Sequence, residues 1–136
     1  MATLPFLDTN IFVRHLTKDH PDHSPRATEY LRRVEVDEIE VRTADTVIFE
    51  TVFTLQSVYH QSRPAIRDAF LPLIEMPGIV LPGKRRFRQV FDLYVNRNRS
   101  FADAYHAILM QEWGLEEMVS FDRGFDRIPG LKRIEP

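Results

Sequence analysis

Short apolar runs, each separated from the next by amphipathic stretches, constrain this chain most. Leu4-Pro5-Phe6-Leu7 reads as a buried strand with proline at its start. Ile39-Glu40-Val41-Arg42 alternates as a strand does, and Ile79-Val80-Leu81 lies between Gly78 and Gly83. Met118-Val119-Ser120-Phe121 ends at Asp122, and Leu131-Lys132-Arg133-Ile134 supplies a last run. The segments between them carry helical spacing. Ile11, Phe12 and Leu16 begin one helix, and Ser24 with Pro25 reads as the cap and first-turn proline of the next. Asp45 opens a stripe through Ile48, Val52, Leu55 and Tyr59. That segment is rich in Val, Thr and Phe, but its length favours helix over strand. Pro64 opens a stretch that Pro72 ends or kinks. Phe87, Val90, Phe91 and Tyr94 mark a further helix, and Ser100-x-x-Asp103 is a capping box whose helix Gly114 closes.

Strands alternating with helices in this order predict an α/β fold, with a central parallel sheet of four to five strands covered by helices on both faces. At 136 residues the length fits one domain spanning residues 1–136. With no cysteine, disulfides, thiolate zinc sites and a cysteine nucleophile are excluded. The absence also fits a reducing, cytoplasmic setting. No apolar run approaches the length that spans a bilayer. The opening apolar residues lack a basic flank and stop at Asp8, so no signal peptide is expected. With 18 basic and 20 acidic side chains, any site for a polyanion must be a local patch.

Open parallel sheets carry their sites at the carboxyl ends of strands. Asp8 follows the first run and Asp122 the fourth. Glu50 lies early in the helix after the second strand, and Asp103 lies in the first turn of the helix before the fourth. These four carboxylates are expected at one rim. Close carboxylates resist joint ionisation, and a divalent cation removes that cost. An all-oxygen donor set suits Mg2+ or Mn2+, which can align a water and stabilise a leaving oxygen in phosphodiester hydrolysis. Taken singly, each acid has a plainer role as a cap, a turn residue or a solvated helix residue. Glu50, however, sits among Val47, Ile48, Phe49, Val52 and Phe53, and Asp8 and Asp122 end apolar strands where lone burial is expensive.

Other constellations are weaker. Gly78 to Lys84 resembles a phosphate loop but lacks its terminal Ser or Thr, and its apolar middle reads as a strand. Asp19, His20, Asp22 and His23 lie in a proline-flanked loop and read as solvated. His106, one turn after Asp103, reads as a packed core histidine. Lys84, Arg85, Arg86 and Arg88 form a basic run, followed by Arg97 and Arg99, and Arg14 lies beyond Asp8. Arg14, Arg85, Arg86 and Arg88 are candidate RNA phosphate contacts, against the alternative of a solvated helix face. The aromatic stripe of Phe87, Phe91 and Tyr94 reads as core.

Phe6-Leu7-Asp8-Thr9-Asn10, Ser100-Phe101-Ala102-Asp103-Ala104 and Ser120-Phe121-Asp122-Arg123-Gly124-Phe125-Asp126 resemble three motifs of PIN-domain nucleases. Glu50 stands where that family places its second acid. The resemblance runs in order over essentially the whole chain, and the small solo domain further resembles VapC-type toxins. It implies that Asp8, Glu50, Asp103 and Asp122 bind Mg2+ or Mn2+ and position the attacking water, with Asp126 as a further late acid. It also implies that Asn10 holds Asp8 by a hydrogen bond and that Thr9 or Ser120 adds a hydroxyl to the network. Gly124 departs from the charged residue many members carry there. The implied activity is an endoribonuclease, acting on RNA as a homodimer and silenced by an antitoxin protein. Alternatives are an RNA-binding or RNA-processing domain outside such a pair, and an aspartyl-phosphate phosphatase using Asp8. The phosphatase chemistry normally wants an acid where Asn10 stands.

Overall fold

The computed structural model describes residues 3–136. They form two compact units that meet in sequence between Arg85 and Arg86. The α/β order expected from the sequence is present, and every strand ladder among the described residues is parallel.

In the first unit, helix α1 (Thr9–Thr17) packs on α2 (His23–Glu35) and on α3 (Asp45–Ser57), and α3 packs on α4 (Arg63–Ile74). Strand β1 (Val41–Arg42) pairs with β2 (Ile79–Val80), Val41 opposite Ile79. The opening apolar run makes a single parallel bridge, Phe6 to Arg42. Leu7 N donates to Arg42 O and Arg42 N to Pro5 O, at 2.8 and 2.9 Å. Proline fits there because its carbonyl, not a missing N–H, serves the bridge. Phe12, Val34, Val41, Ile48, Leu55, Ile66, Phe70 and Ile79 are fully buried, and the Phe12 and Phe70 rings meet edge to face at 5.0 Å. Gly78 is required by contact: a Cβ there would lie 2.9 Å from the Val34 carbonyl oxygen.

The caps differ in detail from the expectation. Helix α2 starts at His23, so Ser24 lies inside it, and its Oγ accepts from His20 N at 3.2 Å. The open amides of Asp22 and His23 donate instead to His20 Nδ1. Ser62 caps α4, accepting from Ala65 N. Pro72 neither ends nor interrupts α4, which runs on to Ile74.

In the second unit, α5 (Arg86–Asn96) packs against α6 (Phe101–Glu112). Phe87, Phe91, Tyr94, Phe101 and Tyr105 are buried between them, with Phe91 and Phe101 at 4.8 Å. The stripe is therefore core, as expected. Ser100 caps α6 by accepting from Asp103 N at 3.1 Å, and Gly114 ends it at φ +71°. Strand β3 (Glu117–Val119) pairs with β4 (Lys132–Ile134), Met118 opposite Arg133. The strand thus stops short of the expected Phe121. A short 3-10 turn (Arg123–Arg127) follows, and Phe125 and Ile128 pack with Ala107, Leu93, Met118 and Leu131.

Candidate active site

Asp103 and Asp122 come from distant parts of the second unit's chain and meet on one cation. Arg99 Nη2 donates to Asp103 Oδ2 and to Asp122 Oδ2, both at 2.8 Å. Each acid is also fixed from behind. The Ser100 cap sets the first turn that carries Asp103. Ser120 Oγ accepts from Asp122 N at 3.0 Å, while Asp122 Oδ1 accepts from Gly124 N at 2.8 Å. The Gly124 amide, then Arg99, holds the Asp122 carboxyl below its usual range. Ser120 therefore acts on the backbone of Asp122, a bond not foreseen from the sequence.

In the sequence Arg99 reads only as a basic residue following the run at 84–88, with no role of its own. It lies one helical turn before Asp103, a spacing that permits an ion pair. Its second partner, Asp122, is 23 residues further on, and no local signal announces it. The arginine side chain is 11% exposed and its guanidinium lies 4.9 Å from the centre of the Phe125 ring.

Asp126 stands apart from this pair. Arg133 takes both of its carboxylate oxygens, at 3.0 and 3.4 Å, and also donates to Ser120 O and to Glu135.

The first unit carries Asp8 and Glu50. Asp8 precedes α1 in extended conformation, at φ −90° and ψ 164°, and its side chain makes no capping bond. Thr9 is buried, and its Oγ1 has no hydrogen-bond partner among the described residues. Asn10 is exposed and makes no bond to Asp8 among them, so the implied clamp is not formed here. It lines a cavity with Ile11, Arg14, His23, Arg26 and Tyr30. Glu50 is exposed on α3, whose buried side is Val47, Ile48, Thr51, Val52 and Leu55. The expected cost of burial therefore does not apply to Asp8, Glu50 or Asp122, which are all exposed; Asp103 alone is half-buried. An apolar neighbourhood in sequence failed as a guide because a helix turns successive residues through about 100°.

The basic candidates divide. Arg14 Nη1 pairs with Asp19 at 3.0 Å, in a hub where Asp19 also accepts from Thr17 and Tyr59. Arg86 is clamped: it pairs with Glu112, donates to Tyr105 Oη and lies over the Tyr105 ring. Arg85 and Arg88 are exposed. Lys84 turns inward and donates to the carbonyls of Met76 and Ile79, at 2.7 and 2.8 Å. The phosphate-loop lookalike is thus a strand and turn braced by its own lysine. His106 is exposed on α6, not packed in the core as expected.

A PIN domain family model matches residues 6–131. The chain belongs to the PIN domain family. Its relatives include a VapC ribonuclease of Mycobacterium bovis and ribonuclease VapC13 of Mycobacterium tuberculosis, each 35% identical over 89 residues. Those matches cover 59% of this chain and 66% of each relative, just under two thirds of their length. A VapC ribonuclease of Aquifex aeolicus is 27% identical over 92 residues, covering 68% of this chain and 67% of that protein.

The fit of these acids to a hard cation rests on the geometry of the second unit. Among the described residues, no three His, Asp or Glu side chains converge closely enough to hold a metal. Two carboxylates do converge on one positive charge, with one oxygen of each facing it. Mg2+ commonly takes one or two carboxylates and fills its shell with waters and substrate phosphate oxygens. The pair Asp103 and Asp122 fits that demand.

Proposed function

We propose that this chain is a divalent-metal-dependent endoribonuclease and the toxin of a toxin–antitoxin pair. The observation that carries the reading is the convergence of Asp103 and Asp122 on one cation within a PIN domain. The names of its VapC relatives support RNA as the substrate. Asp8, Glu50, Asp103 and Asp122 are the proposed ligands of Mg2+ or Mn2+, with Asp126, held by Arg133, as a further late acid. When bound, the metal activates a water and stabilises the leaving oxygen of the scissile phosphodiester. The chain's own groups do the positioning. Ser100 fixes the turn that presents Asp103, and Ser120 with the Gly124 amide fixes Asp122. Preset carboxylates spare the reorganisation that would otherwise accompany binding. The unpartnered Thr9 hydroxyl beside Asp8 is the reserve donor or acceptor for that end of the site.

Arg14 and the exposed Arg85 and Arg88 are the proposed contacts to RNA phosphates, which give affinity without sequence reading. Arg86 belongs to the same proposed group, and there it would have to exchange its bonds to Glu112 and Tyr105 for a phosphate. An antitoxin protein, a homodimer and a cytoplasmic setting belong to the same reading. So do the single domain over residues 1–136 and its one sheet of four to five strands, supported by a family match that runs across both units. None of the described helices is long and apolar enough to cross a membrane.

The test is cleavage of total cellular RNA with Mn2+, with new 5′ ends read by sequencing. Discrete ends bearing 5′-phosphate are expected from the wild type and none from Asp8→Asn or Asp103→Asn, whose circular dichroism stays native. Wild-type cutting by both variants refutes the site. Stoichiometric labelling of Asp8 by a phosphate mimic, without RNA cleavage, would favour the phosphatase instead.

A further inference from the structure

Arg99 stands where a metal shared by Asp103 and Asp122 would have to bind. Its Nη2 is 2.8 Å from Oδ2 of each acid, so one nitrogen occupies the point on which both carboxylates converge. The seat around it is built. The side chain is 11% exposed, far less than a surface arginine, and the ring of Phe125 lies 4.9 Å from the guanidinium carbon. Phe125 is itself buried in the cluster with Ala107 and Ile128, so this wall is packed from behind.

Gly124 completes the seat by what it lacks. A Cβ on Gly124 would lie 1.6 Å from Arg99 Nη1 and 2.4 Å from its Cζ. Any side chain at position 124 therefore excludes the guanidinium from this place. Gly124 has an ordinary φ, so the backbone does not demand glycine there. The close approach of Arg99 does. Gly124 thus has a physical account: its missing side chain leaves room for an internal cation.

We propose that Arg99 is an internal counter-cation that competes with the divalent metal for Asp103 and Asp122, and that Gly124 permits it. This rests on the reading of those two acids as metal ligands. In the metal-free chain Arg99 offsets half of the pair's charge and holds the two carboxylates on one nitrogen. Metal entry then requires the guanidinium to leave, because like charges cannot share the same two oxygens. Arg99 thereby raises the metal concentration at which the site fills. It is a positioning residue: it acts through the two carboxylates and is given no contact with the reacting atoms.

The experiment is calorimetric titration of Mn2+ into the metal-stripped full chain, without RNA. Five forms are compared: wild type, Arg99→Met, Gly124→Ala, the double variant carrying both, and Asp103→Asn. Met keeps an apolar stem against Phe125 and removes the charge. Ala leaves the charge and evicts it, through the far end of a flexible side chain that can move. Both variants are expected to bind Mn2+ about tenfold more tightly than wild type, a shift calorimetry resolves easily. Both should also melt at a lower temperature than wild type when metal-free. Adding Gly124→Ala to Arg99→Met should give no further gain, since both remove one interaction. Asp103→Asn should lose most of the binding. If Asp103→Asn binds as wild type does, or no form binds, the metal-site reading fails and this proposal with it. If Asp103→Asn loses binding while Arg99→Met and Gly124→Ala bind no tighter than wild type, the metal reading stands and the counter-cation is refuted. Should Arg99→Met fail to fold, Gly124→Ala decides alone.

Discussion

Lys84 shows how a residue's chemistry is assigned by what it can reach. In sequence it heads a basic run and completes most of a phosphate-loop pattern. In the fold its ammonium donates to two carbonyls, Met76 O and Ile79 O, and burial pushes its pKa below the usual lysine value. It braces the turn that enters β2. Replacing it by Met leaves two carbonyls short of a donor, and such losses cost about 1–3 kcal/mol each at most when the group stays dry. Lys84→Met should therefore lower the urea midpoint, while an RNA phosphate role would leave stability unchanged and weaken RNA binding. Arg99 teaches the same lesson in reverse. It carried no motif, yet it is the residue that joins two of the four predicted acids.

At the scale of elements, pairs of helices carry the argument. The α5 and α6 pair was legible because its apolar positions recur at helical spacing, and its rings do pack together. The α1 and α2 pair holds a feature the sequence did not flag. His15 Nδ1 lies 2.8 Å from Thr28 Oγ1 across the two helices. Burial, with Lys18 adding to it and Glu35 opposing, lowers the His15 pKa below 6.5. The folded state therefore disfavours the proton that the unfolded state accepts near pH 6.5. The stability involved is complete above that pH and declines as pH falls through it. Urea midpoints should drop between pH 7.5 and 5.5 in the wild type, and by less in His15→Gln. An equal drop in both would place the effect elsewhere. Strand ends were read less well. The β3 strand is three residues long and stops before the acid it was expected to deliver, because Ser120 and Asp122 turn the backbone with their own side chains.

For the whole molecule, the proposed metal site predicts linkage between metal and folding. A cation bound by the native carboxylates and not by the unfolded chain adds stability as RT ln(1 + [L]/Kd), about 2.7 kcal/mol at a hundredfold excess over Kd. Millimolar Mn2+ should raise the melting temperature of the wild type, and Asp103→Asn should remove most of that rise. An unchanged melting temperature in the wild type would count against every metal-based reading.

Patterns carried by neighbours in the chain were readable beforehand. The α/β order, the parallel pairing, the aromatic core of α5 and α6, the Ser100 cap and the strand at Ile79 all follow from spacing, propensity and turn chemistry within a few residues. The same local patterns selected the family. Tertiary structure alone decided which charges are spoken for. Arg86 was taken by Glu112, Asp126 by Arg133, and Asp103 and Asp122 by Arg99. It also decided that Glu50 faces out of its apolar stretch and that a missing Cβ at Gly124 makes room for a guanidinium. The physical reason is range. Helix and strand preferences act over a few residues, whereas an ion pair or a steric seat depends on atoms that the fold brings together from far along the chain.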